Sequence, residues 1–181
     1  MLVCRTDAEA ATLISTSIDP RDHAFIMGTT NPSLQPLAGL LAAAEAAGKA
    51  GDQLQAIEDQ WLAQAKLKTF DEAVVEIING GKYSDKQGLI ARYQAEAKGK
   101  SIGQMREAAR KATGVDVFFD WDGARTREGY YRLKGGCQCA INRANAYAPY
   151  CDAIWMESKL PDYKQAEEFA TGVHSVWPEK K

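Results

Sequence analysis

Polar and apolar positions divide the chain into stretches of different period. Leu2-Val3-Cys4 is an apolar run that stops abruptly on Arg5-Thr6-Asp7, and Ala8-Glu9-Ala10-Ala11 then opens an alanine-rich helical pattern. The run predicts a buried strand whose C-terminal end carries a cation, a hydroxyl and a carboxylate. Barrels and open α/β sheets bind their ligands at that end of their strands. The strand opens the chain with no preceding unit beside it, which predicts a piece of a larger architecture. A charge-rich loop, Asp19-Pro20-Arg21-Asp22-His23, belongs to this first segment, residues 1–28.

From residue 29 to residue 122 the pattern is helical almost throughout. Asn31-Pro32 and Gln35-Pro36 are turn chemistry ahead of the stripe Leu37, Leu40, Leu41, Ala44, which stops at Gly48. Asp52 is placed to cap a second helix bearing Leu54, Ile57, Trp61 and Leu62. Thr69 and Glu72 have capping-box spacing ahead of a third helix that ends at Gly80-Gly81. Ser84 to Gln87 and Ser101 to Gln104 repeat that spacing, and Gly114 closes the last run. Five short-linked helices predict a compact helical subdomain whose apolar stripes are core packing.

Residues 123–181 return to alternating helix and strand. Thr126-Arg127-Glu128-Gly129 is a polar turn beside Tyr130 and Tyr131. Ala140, Ile141, Ala144 and Ala148 form one face of a helix that stops near Pro149. Asp152 to Met156 is a short apolar strand ending on Glu157. Pro161 and Asp162 start a further helix, with Tyr163, Ala166, Phe169, Ala170, Val173 and Trp177 as its buried side. This order suits a parallel α/β layer. Both apolar strands end on charge, at Arg5 and Glu157, and that symmetry is the local argument for a site.

Composition narrows the function classes. Hydrophobic residues make up 45% of the chain and charged ones 25%, with formal charge −2. The balance carries no electrostatic footprint for nucleic acid. No apolar run approaches the roughly 20 residues of a membrane span. No basic, apolar leader of secretory type is visible, and Pro178-Glu179-Lys180-Lys181 is not a peroxisomal address. The four cysteines, Cys4, Cys137, Cys139 and Cys151, read as reduced thiols. Cys137-Gln138-Cys139 lacks the ligands of a zinc site and reads as small side chains in a core.

Arg5 presents a permanently charged planar fork suited to carboxylate or phosphate. An acidic-ligand clamp and a structural ion pair with Asp7 or Glu9 are equally open readings of its position. Thr6 and Asp7 read as orienting Arg5, or Asp7 as capping the following helix. Glu157 is suited to hydrogen bonds from metal-bound water or a substrate hydroxyl, against a plain loop carboxylate near Lys159. Arg125, Arg127 and Glu128 read as a charged turn that pins a loop. His23 reads as a solvated loop histidine. The residues alone therefore lead to an α/β layer with an acidic-ligand site and a helical insertion. They show no nucleophile-base pair, phosphate loop or complete metal set.

Five segments together resemble isocitrate lyase. They are Arg5-Thr6-Asp7-Ala8-Glu9-Ala10-Ala11-Thr12-Leu13-Ile14, Ile18-Asp19-Pro20-Arg21-Asp22-His23, Arg125-Thr126-Arg127-Glu128-Gly129, Ala146-Tyr147-Ala148-Pro149-Tyr150 and Trp155-Met156-Glu157-Ser158. The long helical insert between Gly28 and Gly123 resembles the eukaryotic form, most closely the fungal one. The resemblance implies an α/β fold, a partial (β/α)8 barrel interrupted by an all-α insertion. Leu2 to Thr6 and Ala153 to Glu157 would be its fifth and sixth strands. Residues 1–28 and 123–181 would be barrel segments and 29–122 the insertion. Those segments fall far short of the roughly 250 residues of a complete barrel, so a middle slice is expected.

The resemblance further implies that Arg5 binds a substrate carboxylate and that Glu157 lies near the magnesium site without ligating the metal. No catalytic residue falls in the slice. The family's Lys-Lys-Cys-Gly-His motif, with its acid cysteine, and the magnesium-ligating aspartate are expected upstream. The Asn-x-Ser-Pro-Ser motif is expected downstream. Cys4 departs from the alanine common in the family. The implied reaction is cleavage of isocitrate to glyoxylate and succinate with Mg²⁺, as part of the glyoxylate bypass. A homotetramer is implied, located in glyoxysome, peroxisome or cytoplasm, with no nucleic-acid or membrane partner. Methylisocitrate lyase, differing by one substrate methyl worth about 1–3 kcal/mol in a pocket, and a non-catalytic helical module are the competing readings. The 181-residue chain alone is expected to show no turnover and poor solubility.

Overall fold

The computed structural model describes residues 1–181 except Ala8 and Lys159. In chain order the elements are β1 (Val3–Thr6), β2 (Leu13–Ile14), a 3-10 helix (Pro20–Phe25), β3 (Met27–Gly28), α1 (Leu37–Ala46), α2 (Asp52–Ala65) and β4 (Lys68–Thr69). They continue with α3 (Phe70–Gly80), α4 (Lys86–Ala97), α5 (Ile102–Thr113), β5 (Tyr131–Arg132), α6 (Cys137–Tyr147), β6 (Ala153–Met156) and α7 (Tyr163–His174). The architecture is mixed helix and strand. It forms two compact units, one of residues 1–12 and 133–181, the other of residues 13–132.

In the first unit β1 and β6 pair in parallel, with Val3 opposite Ala153, Cys4 opposite Ile154, Arg5 opposite Trp155 and Thr6 opposite Met156. Strand side chains alternate between faces. α6 packs against β1, Thr6 is 3% exposed, and Val3 and Arg5 on the alternate positions are open. The apolar run was expected to be a buried strand, yet Leu2, Val3 and Trp155 are exposed. A parallel strand is buried on both faces only when both are covered. The described part of the alanine-rich stretch, Glu9 to Ala11, is not helical either. Glu9-Ala10 is a turn closed by Ala10 N–H donating to the Asp7 carbonyl at 3.1 Å, and Leu13–Ile14 is a strand. Asp7 therefore caps nothing, and Ala8 lies outside the described residues. Lys181 contributes its carbonyl to Ile154 N–H at 2.7 Å.

α7 starts where Pro161-Asp162 predicted, with the Asp162 side chain accepting from the N–H groups of Lys164 and Gln165. Its buried side differs from the expected stripe. Val173 is buried and Phe169 and Trp177 half-buried, while Tyr163, Ala166 and Ala170 are open. Gly172 lies so close to Ile141 of α6 that a Cβ there would sit 2.6 Å from its side chain. Close backbone approach at a glycine, rather than the bulkiest apolar residues, fixes the face that packs.

The second unit is built on helices, and its capping chemistry is largely as the sequence predicts. Thr69 with Glu72 and Ser101 with Gln104 are complete capping boxes at the starts of α3 and α5, and Gly114 ends α5 with φ 71°. Two caps differ. Gly51 rather than Asp52 is the cap of α2, leaving Asp52 in the first turn. Asp85 rather than Ser84 caps α4, its Oδ1 accepting from Gly88 N–H at 2.8 Å. The carboxylate one residue further on shifts the helix start by one, so that Gly88 rather than Gln87 supplies the capped N–H.

Phe70, Val74, Ile78, Tyr93, Met105 and Phe119 form the main core of this unit; Leu37, Leu41, Trp61, Ala65 and Ala124 form a smaller one. Arg106 ties the segment after α5 to the larger core, donating to the carbonyls of Val117 and Phe119 at 3.1 and 2.6 Å. The unit extends to Leu13 and Arg132, beyond the 29–122 span of the expected insertion. β2 pairs antiparallel with β5, β3 with β4, and Thr29 bridges Asp120. Among the described residues no helix is long and apolar enough to cross a membrane.

Candidate functional site

The two charged strand ends singled out from the sequence meet. Parallel pairing sets the C-terminal ends of β1 and β6 side by side, and the Glu157 N–H donates to the Thr6 carbonyl at 3.1 Å, extending the ladder past Met156. Arg5 then points along the open face. Its Nη1 lies 2.8 Å from Glu157 Oε2. Asp7 lies along the other edge of the guanidinium, with Oδ1 3.0 Å from Nε and Oδ2 accepting from Nη2 at 3.0 Å. All three side chains are more than half exposed.

Asp7 thus holds the fork edge-on and Glu157 engages the remaining nitrogen. The guanidinium has five N–H donors, so donors are left for an incoming anion. Two carboxylates against one cation leave a local charge of −1, so an anionic ligand displaces Glu157 from Nη1 or approaches with a cation. Arg5 pairs with Asp7 and not with Glu9, whose Oε1 accepts from Gln165 Nε2 at 2.8 Å. The alternative partner considered for Glu157, Lys159, lies outside the described residues.

Trp155, opposite Arg5 in the register, is 60% exposed on the same open face. Sequence reasoning did not single it out. No local pattern announces it, because the register that sets Trp155 opposite Arg5 comes from pairing two strands far apart in sequence.

Fit to a magnesium ion can be tested on these groups. Asp7 and Glu157 are both engaged by Arg5, and among the described residues no three His, Cys, Asp or Glu side chains group as a metal site. Magnesium needs near-octahedral oxygen donors, and these residues do not supply the set.

The other sequence candidates lie elsewhere. In the second unit Arg125 donates through Nε to the Gly129 carbonyl at 2.8 Å, with its guanidinium 4.8 Å from the Tyr131 ring centroid. Arg127 pairs with Glu45. Glu128's own backbone N–H, then the Thr126 hydroxyl and Arg127, hold its carboxyl below the usual range. These residues do pin a loop: Gly129, with φ 92°, closes it by donating to the Thr126 carbonyl at 2.9 Å.

His23 was expected to be solvated, but it is buried. Its Nδ1 accepts from Ile102 N–H at 2.9 Å, at the first turn of α5, and its Nε2 donates to the Ser17 carbonyl at 2.8 Å. An acceptor at Nδ1 requires the neutral ring. The histidine completes a helix N-terminus, a role no local pattern announces, because Ile102 is far off in sequence.

In the first unit Cys139 is buried, and Cys137 Sγ approaches the Gln165 carbonyl at 3.6 Å. Burial, then Glu168 and Glu9, push the Cys137 thiol up to about 11. Its thiolate is therefore scarce at neutral pH.

Comparison of the sequence with known proteins identifies one family. The model of the isocitrate lyase family covers residues 1–181. Isocitrate lyase of Saccharomyces cerevisiae is 47% identical over 183 residues, covering 99% of this chain and 33% of that protein. Isocitrate lyase of Pinus taeda is 45% identical over 188 residues, covering 99% and 32%. A protein named mitochondrial 2-methylisocitrate lyase, from Hypocrea atroviridis, is 39% identical over 183 residues, again covering 99% and 32%. The chain spans about a third of the length of the curated relatives it matches.

Proposed function

The chain belongs to the isocitrate lyase family, and from that premise we propose that the complete protein cleaves isocitrate into glyoxylate and succinate. The observation that carries the reading to the site is the Arg5–Glu157 pair at the joined C-terminal ends of two parallel strands. That is where barrel and open-sheet enzymes place their reacting groups.

In the proposed reaction the substrate hydroxyl gives up its proton and the carbon–carbon bond breaks. The bonding pair stays on the succinate fragment as a carbanion, which is then protonated. Arg5 binds a substrate carboxylate through the side of the guanidinium away from Asp7, from which Glu157 is displaced. Its positive charge is preorganised and costs no rearrangement as negative charge moves. Asp7 fixes the fork edge-on, so the carboxylate is met in one orientation. Glu157 sets the resting position of Nη1 and yields it to substrate. No residue of this chain is assigned to proton transfer, and no step here runs through a metal. Magnesium dependence is proposed for the complete protein on the family alone, with ligands other than these residues.

The same reading makes β1 and β6 neighbouring strands, the fifth and sixth, of a (β/α)8 barrel. Residues 1–28 and 123–181 would be its segments and 29–122 the insertion. The parallel pairing of β1 with β6, with α6 packed against β1 and α7 against α6, supports it. A homotetramer, a place in the glyoxylate bypass and a location in glyoxysome, peroxisome or cytoplasm belong to the same proposal.

Isocitrate is preferred over 2-methylisocitrate because the isocitrate lyases cited match at 45–47% identity and the methylisocitrate lyase at 39%. The test is product release by the complete protein from each substrate. Glyoxylate from isocitrate at the higher kcat/KM supports the reading, and faster pyruvate release from 2-methylisocitrate overturns it. The 181-residue chain alone is expected to release neither product.

A further inference from the structure

We propose that His23 is an acid-sensitive latch: protonation of its ring releases the 3-10 helix Pro20–Phe25 from the start of α5. The ring is buried, and both of its nitrogens are spent on main-chain groups. Nδ1 accepts from Ile102 N–H at 2.9 Å, and Nε2 donates to the Ser17 carbonyl at 2.8 Å. Trp121 meets the ring at a steep angle, with centroids 5.1 Å apart and planes at 68°. His23 thereby joins three stretches: the approach to the 3-10 helix, the first turn of α5 and the segment that follows α5. Ala24 and Trp121 both pack on the main core of the second unit, so the latch closes one edge of that core.

Only a neutral imidazole with its proton on Nε2 makes both bonds. A second proton has to go on Nδ1, where it meets the Ile102 N–H, donor against donor. The imidazolium would also sit at the positive end of α5, against the helix dipole. No acidic residue lies in the first turn of α5 to pair with it, and Ser101 and Gln104 are committed to their capping box. Lys100, exposed just ahead of α5, only adds positive charge. Arg21 is engaged by Asp19, Arg106 of α5 by the carbonyls of Val117 and Phe119, and Glu107 by Arg110. Asp120 accepts from Gly123 N–H, and Asp122 from the Tyr131 hydroxyl. Asp22, next in sequence on the same 3-10 helix, is buried. Its carboxylate could accept from a protonated Nδ1 only in place of the bond to Ile102, and that exchange is itself the release. Proton uptake therefore favours the released segment. The docked state is favoured above the ordinary imidazole range, about pH 6.5, and is lost as pH falls through it.

The test is amide hydrogen exchange of the complete protein at about pH 7.5 and about pH 5.5, either side of that range, with intrinsic exchange rates divided out. It does not depend on lyase activity. Peptides spanning residues 17–25 and the start of α5 are expected to lose protection together at the lower pH, by up to about tenfold per pH unit. They are expected to regain it when the higher pH is restored. The start of α3, capped by Thr69 and Glu72, is expected to hold at both. In His23→Asn, whose amide oxygen can accept from Ile102 N–H without titrating, protection is expected to be the same at both. Exchange at the histidine C2 position follows protonation of His23 in the unaltered protein, which keeps the latch testable if the variant does not fold. Unchanged protection at the lower pH, an equal loss in His23→Asn or at α3, or a loss whose midpoint departs from His23 protonation would each overturn the proposal.

Discussion

Arg5 Nη1 lies 2.8 Å from Glu157 Oε2, although the two residues come from opposite ends of the chain. Parallel pairing of β1 with β6 sets the distance, and Asp7 on the other edge of the guanidinium completes the arrangement. Both partners are more than half exposed, and exposed ion pairs contribute about 0–1 kcal/mol to stability. On the proposed reading the guanidinium serves to bind a substrate carboxylate rather than to hold the fold.

Arg5→Ala in the complete protein is therefore expected to separate activity from stability. Loss of a charged hydrogen-bond donor to substrate should cost about 3 kcal/mol in kcat/KM, roughly a hundredfold. Unfolding free energy should change by about 1 kcal/mol or less. Arg5→Lys should recover little activity, because an ammonium lacks the planar fork. Steady-state kinetics beside urea unfolding checks both halves; unchanged kcat/KM in Arg5→Ala would remove Arg5 from the site.

Tyr93 should make the second unit sensitive to alkali. Its hydroxyl donates to Asp71 Oδ1 at 2.6 Å, and burial, then Asp71, hold the phenol well above its ordinary range. With the folded value above the unfolded value of about 10, the stabilisation is fully present below pH 10. It is lost as pH rises from there toward the folded value. Burial also raises Asp71, against the Tyr93 hydrogen bond; its contribution is present below about pH 4 and lost as pH rises past that. Tyr93→Phe should cost about 1–3 kcal/mol at neutral pH and flatten the alkaline decline. Thermal midpoints between about pH 7 and 11 test this, and parallel declines in the two proteins would contradict it.

Gly28→Ala should destabilise the second unit. A Cβ at this position would lie 2.7 Å from the Asp120 carbonyl oxygen and 2.9 Å from the Phe119 ring, beside the Thr29–Asp120 bridge. Backbone atoms cannot rotate away, so a cost of about 1–3 kcal/mol is expected. An unchanged midpoint in urea would show that the bridge does not need this close approach.

The start of α4 separates two candidate caps. Asp85 accepts from Gly88 N–H, so Asp85→Ala should cost about 1 kcal/mol. Ser84→Ala should stay within about 0.5 kcal/mol of the parent. Equal losses would show that both side chains share the cap.

These caps mark how far local chemistry reaches. The Thr69 and Ser101 boxes and the Gly114 stop were legible because donor and acceptor lie within four residues. The shift from Ser84 to Asp85 was not, since two suitable acceptors stood side by side. His23 was misread because Ile102 N–H, its partner, comes from a distant helix. The helix expected after Asp7 failed because Leu13–Ile14 finds a strand partner in Tyr131–Arg132.

The sequence by itself determined the helices of the second unit, the two apolar runs that end on charge, and the family resemblance. Each depends on period, spacing or residue order, which the chain carries locally. Only the tertiary structure decided that the two charged ends meet, that α7 packs through Gly172 and Val173, and that one face of the β1–β6 sheet stays open. Those outcomes depend on which strand lies beside which, and a parallel pair is joined by long crossovers whose ends no local pattern can bring together.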